Sequence, residues 1–381
     1  MAETRATSAA AYLADHDVEG VIARCVARVV KERPADPVLA IADMLAAGSQ
    51  AQFSLPSIVD AHHHFLATDE PFHAFLAHLS MPSYTAASYT IACGGLPVHA
   101  TVHVEAMPDD PLAEVRFIEA LATAGECKVG AIVAACNLAD ADAAAQLDAL
   151  CAASSRVKGI RYILDYDGPF NGGENATHVA CSRHGLDYLR DPVASQAFER
   201  GFALLAERGL SFDLQCAPVQ LPAAAALCAR HPRVNVVVDH CGKPLPLEAD
   251  GGAEDEAKMA EWRAGLKLMA AQPQVCVKLS MLGYAVPGWC SVPRKEALLR
   301  SLVRETIALF GCSRCMFASN WHVDPSISDS CGKVPGLEMP ALYARFESWV
   351  ADLAPDQKRL LFEGTAAAFY HLTPAASEDS C

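Results

Sequence analysis

Ser57-Ile58-Val59-Asp60-Ala61-His62-His63-His64-Phe65 is an apolar run that closes on three consecutive histidines. Side chains alternate along a strand, so His62 and His64 face one way and His63 the other. Further apolar, β-rich runs lie at 98–106, 129–136, 157–164, 210–216, 235–242, 275–280 and 314–321. Most are nearly continuous, as parallel strands covered on both faces require. Ala/Leu-rich stretches at helical spacing separate them, at 110–123, 140–153, 194–207, 221–229, 255–271 and 295–310. Eight β/α repeats predict an α/β fold, a (β/α)8 TIM barrel, over residues 53–381.

The connections point to one end of that barrel. Links entering the strands are short, such as Arg208-Gly209. Links leaving them are long: 165–191, 243–254, 281–294 and 322–340. Long loops in a compact domain are usually functional, and barrel enzymes work at the C-terminal face. Polar residues also gather at the strand ends: Glu105, Arg161, Asp213, Gln215, Asp239, His240, Lys278, Ser280, Asn320 and Trp321. A barrel interior is normally filled with branched apolar side chains, so this many polar groups predict a shared site.

Residue chemistry suggests the roles. His62 and His64, with Glu105, are the candidate ligands for one divalent ion, zinc or manganese; a metal-free site is the alternative. His240 is the candidate general base, since an ordinary imidazole pKa suits the task, with Asp239 behind it. Arg161 offers a bidentate fork for a substrate carboxylate. Asn320 and Lys278 would stabilise developing charge, and Gln215, His184 and Trp321 would contact substrate.

Composition limits the alternatives. The chain has 381 residues, a net charge of −15, 52% hydrophobic and 20% charged residues, which is globular and not disordered. The acidic balance argues against a nucleic-acid partner. No apolar run is long enough to span a membrane and residues 1–14 lack a signal-peptide pattern, so a cytoplasmic enzyme is expected. In that compartment the fifteen cysteines read as small buried hydrophobes, and Cys312-x-x-Cys315 as a loop feeding a strand.

Residues 1–52 read as a separate helical hairpin. Val18, Ile22, Val26 and Val29 form one stripe and Val38, Ile41 and Leu45 another, with Asp36 as N-cap and Pro37 at the first helical position. Tyr12-Leu13, the Val-rich helix and Arg33-Pro34-Ala35-Asp36-Pro37 resemble the Dpy-30 and protein-kinase-A regulatory-subunit dimerisation–docking motif. That resemblance implies a homodimer that docks an amphipathic helix. The alternative is a hairpin packed on its own barrel.

The strands resemble the amidohydrolase superfamily, in the branch of lactonases, 2-pyrone-4,6-dicarboxylate hydrolase and metal-dependent decarboxylases. The matching stretches, in order across 57–372, are Ile58 to Phe65, Gly159-Ile160-Arg161, Gly209 to Gln215, Val238 to Pro244, Val277-Lys278-Leu279-Ser280, Met316 to Asn320 and Phe362 to Tyr370. The resemblance implies hydrolysis of a small carboxylated cyclic ester by activated water. Three places depart from it: Asn320 stands where the superfamily has a metal-binding or base Asp, Trp321-His322 where an aromatic residue and Pro usually follow, and Gln215 where metal-rich members have His. A binuclear centre is therefore not expected, and decarboxylation, which needs that Asp, is the lesser alternative. A barrel that has lost catalysis and serves as a docking scaffold is the alternative from another class.

Overall fold

The structure is a computed structural model. It describes residues 18–33, 36–38, 40–41, 44, 55, 57–167, 178, 180–181, 185–244, 246–321 and 336–373. His184 and most of the expected second N-terminal helix fall outside these residues.

Eight parallel strands form one sheet in sequence order: β1 (Ile58–His63), β2 (Val98–Val104), β3 (Val129–Ala135), β4 (Val157–Arg161), β5 (Ser211–Leu214), β6 (Val236–Val238), β7 (Val275–Leu279) and β8 (Cys315–Phe317). The first and last strands meet at their ends, where Asn320 N donates to the His62 carbonyl at 2.8 Å and His64 N to the Trp321 carbonyl at 3.2 Å. The expected TIM barrel is therefore present.

The jacket helices follow the sequence pattern closely. Pro111–Thr123 starts where Asp110 Oδ1 accepts from the amides of Leu112 and Ala113 at 3.0 Å each, with Pro111 at the position where no N–H is needed. Ala143–Ala153, Ala194–Arg208, Leu221–Arg230, Ala253–Ala270 and Pro293–Phe310 complete the set foreseen from periodicity. Sequence reading passed over Ala86–Cys93 and Met339–Trp349, whose buried Tyr89 and Tyr343 turn out to hold β1. Cys312–Arg314 is a turn feeding β8, and both Cys312 and Cys315 are free thiols.

Two apolar layers enclose the sheet. The larger lies between strands and helices and includes Ile132, Phe198, Phe212, Trp262 and Phe317. The smaller fills the barrel: Val59, Ala61, Val102, Val104, Val133, Val237, Met316 and Ala318 pack on Ala366, Ala367, Tyr370 and Leu372 from the C-terminal segment. This apolar floor leaves the polar residues of the same strands stacked above it, toward the C-terminal ends.

The N-terminal helix Val18–Glu32 lies against Ala86–Cys93, with Cys25 buried and Arg24 beside Gly94. Asp36 accepts from Val38 N at 3.1 Å, the cap expected from sequence. No helix among the described residues is long and apolar enough to cross a membrane.

Candidate active site

The first strand owes its geometry to one extra residue. Asp60 pairs with Thr101 and His63 with His103, so three steps on β1 match two on β2. Such a bulge breaks the alternation and re-aims side chains. Val59 and Ala61 lie in the barrel, while Asp60 points out to Tyr89 and Tyr343, at 2.6 and 3.1 Å. Beyond the bulge, His62 and His64 turn inward and His63 packs outward on Phe65, Tyr89 and Thr101. The alternation expected for the three histidines holds; without the bulge Asp60 would share their face. Ser319 N and Oγ also donate to Asp60, at 2.8 and 2.6 Å, which ties β8 to β1.

A carbonyl partner fixes which nitrogen of His64 donates. His64 Nδ1 donates to the Val104 carbonyl at 2.8 Å, so Nε2 carries its lone pair. His62 Nδ1 lies 3.2 Å from Lys278 Nζ and 3.5 Å from Asp239 Oδ1, and its Nε2 lies 3.2 Å from His64 Nε2. A chain of contacts thus runs from Lys278 through His62 to His64. Asn320 Oδ1 stands 3.3 Å from His64 Nε2.

Below the imidazoles lies a dense set of charges. Lys278 Nζ is 2.5 Å from Asp213 Oδ2 and 3.2 Å from Asp239 Oδ1, all fully buried. Tyr370, rising from the floor, donates to Asp213 at 2.7 Å. Arg161 donates through Nε to Glu105 Oε1 at 2.7 Å and through Nη2 to the Glu105 carbonyl, while Nη1 reaches Gln215 at 3.2 Å and His62 Nε2 at 3.5 Å. Glu105 Oε2 accepts from Met107 N at 2.6 Å. Glu105, expected as a metal ligand, is therefore the arginine's partner, and the arginine's fork, expected for a substrate carboxylate, already holds a carboxylate.

His240 closes the group. Its ring lies 4.9 Å from that of His62, and Nδ1 is 3.0 Å from Ser280 Oγ. His240, Cys241, Gly242 and Lys243 have φ values of 56, 56, 70 and 48°, four left-handed residues in a row. Left-handed backbone costs about 1–3 kcal/mol per non-glycine residue and gathers at functional sites. Met107, Met281 and Asn320 share that conformation at three other strand ends.

The electrostatics follow from burial. Burial pushes the His240 imidazole down to about 3, aided by the Arg161, Lys278 and Lys243 charges against the pull of Asp239. His240 is thus a neutral acceptor at physiological pH, not the near-neutral titrating group expected from sequence. Burial also pushes Asp213 up to about 6, opposed by Lys278. Asp239 goes the other way: burial opposes its charge, but Lys278, foremost among its charged neighbours, outweighs it.

A cavity of about 80 Å³ opens above these groups. His64, Arg161, Gln215, His240 and Asn320 form its polar wall, with His178 from the β4 loop, and Leu66, Leu76, Met107 and Ile163 its apolar one. His62, Glu105, Asp239 and Lys278 sit beneath that wall. Trp321 is buried and packs behind β1, its backbone paired with His64 and Ser319. A larger groove, about 270 Å³, lies between Ala253–Ala270 and Pro293–Phe310, away from all of these groups.

Sequence reading missed Asp165 and Lys243. They pair at 2.8 Å across the mouth, and Asp165 also accepts from Gln215 at 2.8 Å. Each stands just past its strand, a position that could have flagged them.

A divalent ion, as the superfamily resemblance implies, meets a mixed donor set. Ligand atoms of His62, Asp239 and His240 lie within 4.8 Å of one another. The Lys278 ammonium already stands between two of them, and Arg161 is 3.8 Å from Asp239 Oδ2. At the rim the remaining donors are His64 and Asn320. A divalent ion does not fit beside two resident cations without displacing one.

Comparison with known proteins agrees with this architecture. Residues 59–372 match the family model described as amidohydrolase, which leaves the N-terminal helix outside. An L-fucono-1,5-lactonase of Burkholderia ambifaria is 28% identical over 72% of this chain and 81% of its own. One of Burkholderia multivorans is 33% identical over 49% of this chain and 60% of its own, and an uncharacterized protein of Sinorhizobium fredii 33% over 49% and 56%. The chain thus spans somewhat over half the length of those last two relatives. Among solved structures, an amidohydrolase from Burkholderia multivorans with bound zinc superposes with a TM-score of 0.63 at 22% identity, over 83% of this chain and all but 1% of its own. A probable 2-pyrone-4,6-dicarboxylic acid hydrolase from Acinetobacter baumannii gives 0.56 at 15%, over 83% and 99%.

Proposed function

The chain belongs to the amidohydrolase family, and we propose that it hydrolyses a small lactone with water activated at the rim of the barrel. One observation carries the reading: the His240 imidazole, held through Nδ1 by Ser280, shares a cavity wall with Arg161 and Asn320. The relatives named L-fucono-1,5-lactonase support a cyclic ester of a sugar acid. Glu105 favours an uncharged ring over a carboxylated one, because it already neutralises Arg161.

In the proposed reaction water adds to the lactone carbonyl. His240 Nε2 takes the water proton while Ser280 holds Nδ1. Arg161 Nη1 and the Asn320 amide, both on the cavity wall, donate to the developing oxyanion. The ring C–O bond then breaks, and the proton on His240 passes to the departing alkoxide, giving the open hydroxy acid. Asp239, beside His240, steadies the transient imidazolium. The missing acid at position 320 is compatible with this scheme, since the base lies on the sixth strand.

Variants test it. His240→Ala and His62→Ala should each lower lactonase kcat by roughly 10²-fold or more; turnover unchanged in both, across a panel of aldonolactones, would sink the assignment. Decarboxylation has no such support, since the acid it needs is the one replaced by Asn320.

A second reading concerns residues 1–52. Ile22, Val26 and Val30 are 49, 45 and 67% exposed at four-residue spacing, and Val38 is 76% exposed. Their outward stripe supports self-association of two chains through this segment.

A further inference from the structure

We infer that the Lys278 ammonium is a tethered cation that holds the position a divalent ion would take between His62 and Asp239, so that this barrel binds no ion there while Lys278 is present. An ammonium has three N–H donors. Lys278 directs two of them at Asp213 Oδ2, 2.5 Å away, and His62 Nδ1, 3.2 Å away, and its charge pairs with Asp239 Oδ1 at 3.2 Å; all four side chains are fully buried. Two carboxylates and an imidazole around one buried point are a donor set for a first-row divalent ion. Here the positive charge reaches that point from β7, on a side chain that the Tyr370 ring flanks at 5.4 Å.

The arrangement also explains how His62 is oriented. The ammonium holds the His62 ring by its Nδ1 edge at 3.2 Å, which turns Nε2 toward His64, 3.2 Å away. Lys278 thus acts on the rim through His62. It is a positioning residue, since it lies beneath the cavity wall and does not line the cavity.

Removing the ammonium while keeping the side chain's bulk should open the position. Asp213 and Asp239 would then face each other with no cation between them, and a divalent ion would relieve that repulsion. The two carboxylates drive this gain.

The test uses the full chain and manganese chloride, because manganese prefers oxygen and imidazole to the many thiols here. Free manganese is read by electron paramagnetic resonance during titration to 100 μM. The wild type should bind less than about a tenth of an equivalent, and Lys278→Arg, which keeps a cation, should match it. Lys278→Met should bind close to one equivalent, at least tenfold more tightly than wild type, and Lys278→Met/Asp239→Asn should lose that gain. One tight equivalent in the wild type overturns the inference, even if Lys278→Met fails to fold. A folded Lys278→Met, checked by circular dichroism, that binds no more than wild type overturns it as well. The inference rests on the same rim as the lactonase reading, but its readout is bound manganese and not lactone turnover, so either fails without the other.

Discussion

Glu114 shows what a single buried carboxylate contributes away from the chemistry. It is fully buried at the start of Pro111–Thr123, where Oε1 accepts from Ala106 N at 2.9 Å and from His73 Nε2 at 3.0 Å, with His103 Nε2 3.7 Å away. Burial alone would raise its pKa, but the His103 and His73 contacts outweigh that and hold it at about 2 against an ordinary 4.5. The folded state therefore binds this proton less readily than the unfolded chain. The stabilisation is complete above pH 4.5 and fades as pH falls toward 2. From that difference it is on the order of 3 kcal/mol. Urea unfolding at pH 7 and pH 3 should show the wild type losing stability on acidification and Glu114→Gln losing much less. Glu114→Gln should be about 2 kcal/mol less stable than wild type at pH 7, and equal stability of the two at pH 7 would refute this account. His240 acts in the same direction: its depressed pKa makes protonation cost stability as pH falls below 6.5, so acid should weaken the fold from two sites.

At the scale of elements, close approach decides more than propensity. Gly201 faces the β3 loop from the middle of Ala194–Arg208, and a Cβ there would meet the Leu138 carbonyl oxygen at 2.0 Å. Backbone cannot step aside as a side chain does. Gly201→Ala, which would favour the helix by propensity, should instead destabilise by roughly 3 kcal/mol; a raised melting temperature would show that the helix shifts freely. This contact also marks where sequence stops being informative. Strand and helix boundaries were readable because periodicity and caps such as Asp110 are local signals. The bulge between Asp60 and His63 was not, since one inserted residue leaves no compositional trace and is seen only against β2. Side-chain pairing failed in the same way. The set of strand-end polar residues was visible, but Arg161 was expected to await a carboxylate and meets Glu105 instead, because a charge buried by folding must be answered by the protein itself.

For the whole molecule, the site is a polar layer set on an apolar floor inside a closed cylinder, and the N-terminal helix is an addition to its outside. That helix turns Cys25 to the jacket and leaves Ile22, Val26 and Val30 in solvent. Single exposed apolar residues are ordinary, but three on one helical stripe, with Val38 nearby, are a surface that water disfavours. Burying such a stripe against its twin contributes about 25 cal/mol per Å² of apolar area. The stripe stands outside the barrel's mouth, so self-association and catalysis should separate. Ile22→Glu/Val26→Glu should therefore shift the solution mass from two chains to one in light scattering at micromolar protein, with lactonase kcat within twofold of wild type. A wild type that runs as a single chain at 100 μM would place the hairpin with its own barrel instead.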